Sequence, residues 1–213
     1  MTIVSLRGTH GSGKSSVVKA ILDKYKHYLV EPNKRGRPEG YMVELPNGEH
    51  LFVRGPYHTA CGGCDAIQPY ADIWPYIDRA LETGAMMQTE TGGWLHHVDH
   101  VLFEGALVSS GYGNLGRATE KYGDQVVFAF LDTPLDTCLD RIAQRRLARW
   151  KALNKPGLPE PVNPKNTADK HVMVEKSIRQ IAALGRRTVV IDHTKPVQQV
   201  LKLFGVNIRK EPT

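Results

Sequence analysis

Cysteine is scarce, with three in 213 residues, and that scarcity excludes the disulfide framework on which small secreted domains depend. Long apolar runs are missing as well. None approaches the ~20 residues that a helix needs to cross a bilayer, so no membrane association is expected. The chain has no internal repeat and no low-complexity tract. A leader is not expected either: MTIVSLRGTHGSGK passes from a short apolar run straight into a glycine-rich loop, where a signal peptide would extend its apolar core. These absences point to a soluble chain in a reducing, cytoplasmic setting. Acidic residues fall short of basic ones, 22 against 28, giving a formal net charge of +6 and a pI of about 9.2. That balance favours an anionic partner, nucleotide phosphates or a nucleic-acid backbone, without requiring one.

What is present alternates. Hydrophobic residues make up 41% of the chain, enough for one domain with a substantial core. TIVSLRG has the pattern of a short buried strand and SSVVKAILDKYKHY that of the helix after it. RPEGYMVEL and EHLFVRG flank the turn signal PNG, so residues 36–56 are expected to form a hairpin insertion. QPYADIWPYIDRALETG is spaced as a helix that stops at Gly84, with Pro75 awkwardly inside it. VDHVLFEG and QVVFAFLD supply further strands, separated by the mixed segment ALVSSGYGNLGRATEKYG. The helix TPLDTCLDRIAQRRLARWKALN follows, with Thr133 as a candidate cap, Pro134 in its first turn and Asp136 at its positive end. NKPGLPEPVNPKN is too rich in proline for helix or strand and marks a mobile lid near residues 150–168. A helix near KHVMVEKSIRQIAALG, the strand RTVVID and the helix PVQQVLKLFG complete the chain. The alternation predicts an α/β fold of three layers, α/β/α, around a mostly parallel sheet, as a single domain over residues 1–213.

The segment GTHGSGKS, comprising Gly8, Thr9, His10, Gly11, Ser12, Gly13, Lys14 and Ser15 with Ser16 directly after it, matches G-x-x-x-x-G-K-[ST] in full. It also lies where that motif must lie, between an apolar strand and a helix. Glycines let backbone N–H groups turn inward around phosphates, and the helix N-terminus adds positive potential. Lys14 is placed to reach the β- and γ-phosphates, and Ser15 to offer its hydroxyl to magnesium (Mg2+). A nucleoside triphosphate, ATP by default, is therefore expected at this P-loop.

The rest of the chain narrows the kind of P-loop NTPase. No N-K-x-D motif for guanine is present; NKRG and NKPG both lack the aspartate. A motor ATPase would pair Asp with Glu at its second strand, whereas HVLFEG supplies Glu104 followed by glycine. A small-molecule kinase needs a strand-end carboxylate for magnesium, arginines over the transferring group, and a lid. Glu104 meets the first need. Arg141, Arg145 and Arg149 recur at helical spacing beside Arg146 and run into the proline-rich segment, which meets the other two. The plainer reading of those arginines is a solvated basic face or a patch for a DNA backbone.

GTHGSGKS, VLFEG, FLDTPLDTCLDRIAQRR and VVIDHTKPVQQVL together resemble the thymidylate-kinase-like and nucleotide-kinase-like P-loop kinases. In that superfamily a helix of lid arginines follows a similar strand end. The loop after the last strand, here Asp192 to Pro196 with Thr194, flanks the adenine. Residues 36–67 depart from the monophosphate-binding segment of cellular thymidylate kinases. They are closer to phage-encoded P-loop kinases with a hairpin, a Gly-Gly-Cys-Asp element and an FEG strand. The resemblance implies an ATP- and magnesium-dependent phosphotransferase of the host cytoplasm. The acceptor it implies is the hydroxymethyl group of 5-hydroxymethyluracil in DNA, a step in thymine hypermodification. A free deoxynucleoside monophosphate is the alternative acceptor, and a nucleotide-gated DNA-binding accessory protein the alternative of another class.

GPYHTACGGCDAI is open to three readings. His58, Cys61 and Cys64 are spaced as soft metal ligands, but structural zinc wants a fourth, and His96, His97 and His100 are remote in sequence. A redox Cys-x-x-Cys belongs in a thioredoxin-like setting that this chain does not offer. As an acceptor wall, Gly62 and Gly63 would allow close backbone approach, and Asp65 would take the proton of an attacking hydroxyl unless it merely caps a helix. Tyr57, Tyr70 and Trp74 are candidates for stacking on a base or for the core, and Ser109, Ser110, Tyr112 and Arg117 for lining the acceptor pocket. The expected catalytic residues are Lys14, Asp65, Arg141 and Arg145. Residues 8–16, Arg149 and Thr194 would hold the nucleotide, and Ser15 with Glu104 the metal. Sequence leaves the oligomeric state open.

Overall fold

A computed structural model describes residues 1–32, 36–58, 62–67, 70–89, 92–105, 108 and 119–207. The strands are β1 (Thr2–Arg7), β2 (His27–Pro32), β3 (Pro38–Glu44), β4 (His50–Arg54), β5 (Ala85–Thr89), β6 (Gly92–His96), β7 (His100–Glu104), β8 (Val126–Asp132) and β9 (Thr188–Asp192). The principal helices are α1 (Lys14–Lys24), α2 (Ile73–Thr83), α3 (Leu135–Ala152), α4 (Pro164–Ala183) and α5 (Pro196–Leu203). All nine strands join one sheet in the order β6-β5-β2-β3-β4-β7-β1-β8-β9. The run β4-β7-β1-β8-β9 is parallel throughout, and β3, β2, β5 and β6 extend it antiparallel. The expected hairpin is β3–β4, and it lies inside this sheet, β4 pairing directly with β7.

Side chains alternate across the strands and build two cores. On one face Val4, Leu6, Val53 and Leu102 pack under Val17 and Ile21 of α1 and Leu201 of α5. On the other, Ile3, Phe52, Phe103 and Phe128 pack under Ile77 of α2 and Val174 and Ile181 of α4. Each such fully buried side chain contributes about 1.5–3 kcal/mol. The most unusual buried group is Arg7, with no solvent exposure at the end of β1. It donates to Ser5 Oγ at 3.2 Å and to Ser177 Oγ of α4 at 3.0 Å, and its guanidinium lies 4.9 Å from the Phe128 ring centroid. These contacts fasten α4 beneath the strand that feeds the phosphate loop.

Several local expectations are corrected. The first helix stops at Lys24, because His27–Pro32 leaves it to pair with β3. The β5–β6 hairpin has no counterpart in the sequence reading; its strands are short and half exposed, so no apolar alternation marks them. Pro75 is harmless, standing third in α2 where its missing N–H is not needed. Pro134 takes the cap position of α3, while the Thr133 hydroxyl donates 3.0 Å to Ser12 O in the phosphate loop. The last long helix starts earlier than expected, at Pro164, with Asn163 capping the Lys165 N–H.

Candidate active site

Every parallel strand ends on the same edge of the sheet, the edge where α/β folds bind ligands. A cavity of about 660 Å³ lies there. Its floor is the phosphate loop that joins β1 to α1. Gly11, at φ 78°, lies so tightly under α3 that a Cβ would stand 2.4 Å from Cys138 O. The Ser12 carbonyl accepts from both Thr133 Oγ1 and Arg141 Nη1, at 3.0 and 3.1 Å. Thr9 Oγ1 ties the loop to Thr167 O of α4 at 3.4 Å. The α1 N-terminus has no side-chain cap and no acidic residue in its first turn, so its N–H groups face the cavity unopposed. Ser12 Oγ is buried and has no partner among the described residues. A loop with these donors suits a chain of phosphates.

Lys14 is 7% exposed and donates to Gly8 O at 2.9 Å and Thr9 O at 3.1 Å. Burial pushes its ammonium below the ordinary lysine value, against the pull of Glu104 and Asp65. Ser15 Oγ donates 2.8 Å to Glu104 Oε1. Glu104 is 1% exposed, and burial raises its carboxyl, opposed by Lys14 and the Ser15 hydrogen bond. A hydroxyl and a carboxylate in contact beside a phosphate loop are the hard oxygen donors that a divalent cation takes. Tyr57 is buried near Glu104, and its phenol is raised well above the ordinary value, chiefly by burial and next by that carboxylate.

The other wall comes from the segment after β4. Gly63 to Ala66 make one 3-10 turn, held by the Gly63 N–H to Pro56 O at 3.0 Å. Gly63 has φ 74°, and a Cβ on it would meet Glu104 Oε1 at 2.3 Å. That contact packs the turn against the end of β7 and brings Asp65 to the cavity, beside Gly105 and within the field of Lys14. Asp65 is not a cap; Gly62 holds that position. Cys64 is fully buried, and burial pushes its thiol up to about 12. Cys61 lies outside the described residues, among which no group of three or more His, Cys, Asp or Glu could hold a metal. Tyr57 belongs to the core, and Trp74 packs edge-on to Phe103 at 5.3 Å. Ser109, Ser110, Tyr112, Arg117 and the Tyr70 side chain are outside the description.

The structure brings together His10, Gly11, Ser12, Gly13, Lys14, Ser15, Ser16, Asp65, Glu104, Arg141 and Arg145 around the cavity. Gly8 and Thr9 lie buried beneath it. Two expected nucleotide contacts fall elsewhere. Arg149 is exposed one helical turn beyond Arg145 and is not part of the lining. Thr194 gives its N–H and hydroxyl to the Asp192 carboxylate, both at 2.8 Å, and the neighbouring His193 faces the cavity instead, with Pro196 and Val197. Lys170 of α4 was also missed. It joins Lys14 and Arg145 in holding His10 below the ordinary histidine value, after burial as the main cause. Nothing local in the sequence marks Lys170, because only the packing of α4 carries it there.

A phosphate loop that faced only water would need little room beyond the terminal phosphate. Here the cavity extends past the loop to a second carboxylate, and the class that fits is the P-loop phosphotransferases. Sequence comparison is more specific. Over 204 residues the chain is 32% identical to the 5-hmdU DNA kinase of Pseudomonas phage PaMx11, spanning 95% of this chain and 96% of that one. It is 28% identical to the 5-hmdU DNA kinase of Pseudomonas phage M6, over 98% and 100% of the two chains. It is 26% identical to that of Delftia phage PhiW-14, over 88% and 66%. The chain belongs to the family of phage 5-hmdU DNA kinases. No protein-family model matches it. Among solved structures, a gluconokinase from Sinorhizobium meliloti 1021 aligns at a TM-score of 0.44 and 16% identity, over 95% of this chain and 88% of that one.

Proposed function

We propose that the protein transfers the γ-phosphoryl group of ATP to the 5-hydroxymethyl hydroxyl of 5-hydroxymethyluracil in DNA, in the cytoplasm of the infected host. The supporting observation is that Asp65 lines the same cavity as the phosphate loop, in a chain whose relatives are named for that acceptor. Asp65 accepts the hydroxyl proton as the acceptor oxygen bonds to the γ-phosphorus. The bond from that phosphorus to the β,γ-bridging oxygen breaks, leaving ADP and a phosphomonoester on the base. Lys14, Arg141 and Arg145 stabilise charge on the transferring group. Ser15 and Glu104 would hold a magnesium ion, whose charge neutralises the β- and γ-phosphate oxygens.

One continuous sheet among the described residues, with the cavity at the edge where its parallel strands end, fits a single kinase domain over residues 1–213. Among the described residues no helix is long and apolar enough to cross a membrane. The test is transfer of labelled phosphate to a panel of acceptors. Label in DNA containing 5-hydroxymethyluracil supports the proposal. Label in a deoxynucleoside monophosphate alone, or release of free phosphate alone, refutes it. Asp65→Asn should lower kcat by about 10²–10⁴-fold while ATP still binds; unchanged turnover would remove Asp65 as the base.

A further inference from the structure

The positive charge of this chain is concentrated. Between Arg141 and Arg179 stand ten Lys and Arg against three Asp and Glu, so the α3–α4 hairpin exceeds the +6 of the whole chain and the remainder is close to neutral. Elsewhere several surface cations are matched: Lys26 with Glu44 at 3.4 Å, Arg79 with Glu31, and Lys121 with Asp78 and Glu82. On the hairpin Arg149, Lys151, Lys165 and Lys176 are exposed, and among the described residues none has a carboxylate partner. Arg179 is the exception, paired with Glu175 at 3.4 Å.

The donor nucleotide does not account for this charge. Arg141 and Arg145 already reach the cavity, whereas Arg149 and Lys151 lie about 12 and 15 Å farther along α3 from Arg141, at 1.5 Å per residue. The surface also has a defined shape. Arg146 Nη1 donates to Glu160 O and Pro161 O at 2.8 and 3.0 Å, and Trp150 Nε1 to Pro156 O at 3.2 Å, pinning residues 153–163 against α3. At its tip Leu158 is 81% exposed. Toward the cavity the same charge continues through Arg145 and, on α4, Lys170 beside His10.

We propose that the α3–α4 hairpin is the surface on which the DNA backbone lies, so that the strand is led along a basic track to the cavity mouth. The proposal rests on the reading that the acceptor base is part of DNA. The 18 residues of α3 span about 27 Å, roughly eight base pairs of duplex at 3.4 Å each. Backbone contacts of this kind position the strand and carry no sequence information, while the cavity selects the base.

The test uses the full chain and the variant Lys151→Gln/Lys165→Gln/Lys176→Gln. A control, Lys24→Gln/Lys26→Gln/Lys202→Gln, removes equal charge from the far ends of α1 and α5 and from the start of β2. Binding of a fluorescent duplex containing 5-hydroxymethyluracil is followed from 50 to 200 mM salt, with ATP binding and phosphate transfer measured in parallel. The hairpin variant should flatten the slope of log K against log salt by about two to three, raise Kd at least tenfold at 100 mM salt, and bind ATP as wild type does; the control should change the slope by less than one. Equal losses in the two variants, or a loss of ATP affinity in the hairpin variant alone, overturns the proposal. If wild type and both variants phosphorylate DNA equally at 150 mM salt, the acceptor reading holds and the surface is overturned. If wild type binds DNA through this hairpin but transfers no phosphate to it, the surface stands and the acceptor reading fails.

Discussion

Replacing Gly63 with alanine tests how the turn that carries Asp65 is fastened to the Glu104 carboxylate. At φ 74° an alanine is strained by about 1–2 kcal/mol. Its Cβ would also stand 2.3 Å from Glu104 Oε1, 2.8 Å from Glu104 O and 2.9 Å from Cδ, all well inside contact distance. The backbone carbonyl belongs to a strand paired on both sides, so the carboxylate must yield and leave Ser15. A lost hydrogen bond to a charged group adds about 1.5–3 kcal/mol, for a total of roughly 3–5 kcal/mol. At about 2–4 °C per kcal/mol for a chain of this length, the melting temperature should fall by roughly 6–20 °C. Gly48→Ala is the internal control, because Gly48 has φ 83° with nothing within 4 Å of its would-be Cβ, and so reports backbone strain alone. Denaturant unfolding of both variants measures the difference, and phosphate transfer should fall only in Gly63→Ala. A Gly63→Ala cost within 1 kcal/mol of the Gly48→Ala cost would refute the argument that this turn is packed onto Glu104.

Cys64, with its thiol pushed up to about 12, should stay unlabelled by a thiol reagent at pH 8 in a Cys61→Ser background until the chain is unfolded, and labelling at the native rate of an exposed thiol would contradict its burial. Two hydrogen bonds from Thr194 hold the Asp192 carboxyl below its ordinary value of 3.8. A depressed carboxyl contributes its interaction above the unfolded pKa and loses it as pH falls through the lower folded one. The Thr194 amide resonance should therefore be flat from pH 7 to about 4 and move only below, with a midpoint at or above 3.8 refuting the carboxylate grip on the loop after β9.

The parts of the fold legible in the sequence were those with their cause nearby. β1, β7 and β8 are buried on both faces, and continuous apolar runs announce them. The β3–β4 turn carries its own Asn-Gly signal. β2 and the β5–β6 pair were not legible, since they hold their places by pairing with each other and with β3 at a half-exposed edge. Arg7 shows the same limit in the core. Nothing local in the sequence marks a partner for its charge, and only Ser177, 170 residues away, with two phenylalanine rings makes its burial tolerable.

The phosphate loop was determined by sequence alone, because its glycines, lysine and serine act through backbone geometry within nine consecutive residues. Asp65 and Glu104 were singled out as carboxylates, but their meeting required the tertiary structure: the turn after β4 must land on the end of β7, and Ser15 and Glu104 touch across 89 residues. Likewise the spacing of the arginines placed them on one helix without deciding which would serve the nucleotide. Packing α3 over the loop turned Arg141 onto Ser12 O, left Arg149 in solvent, and set His193 rather than Thr194 at the cavity. A local motif needs only the chain's own dihedral preferences, whereas a site shared between strand ends exists only once the sheet has set their register.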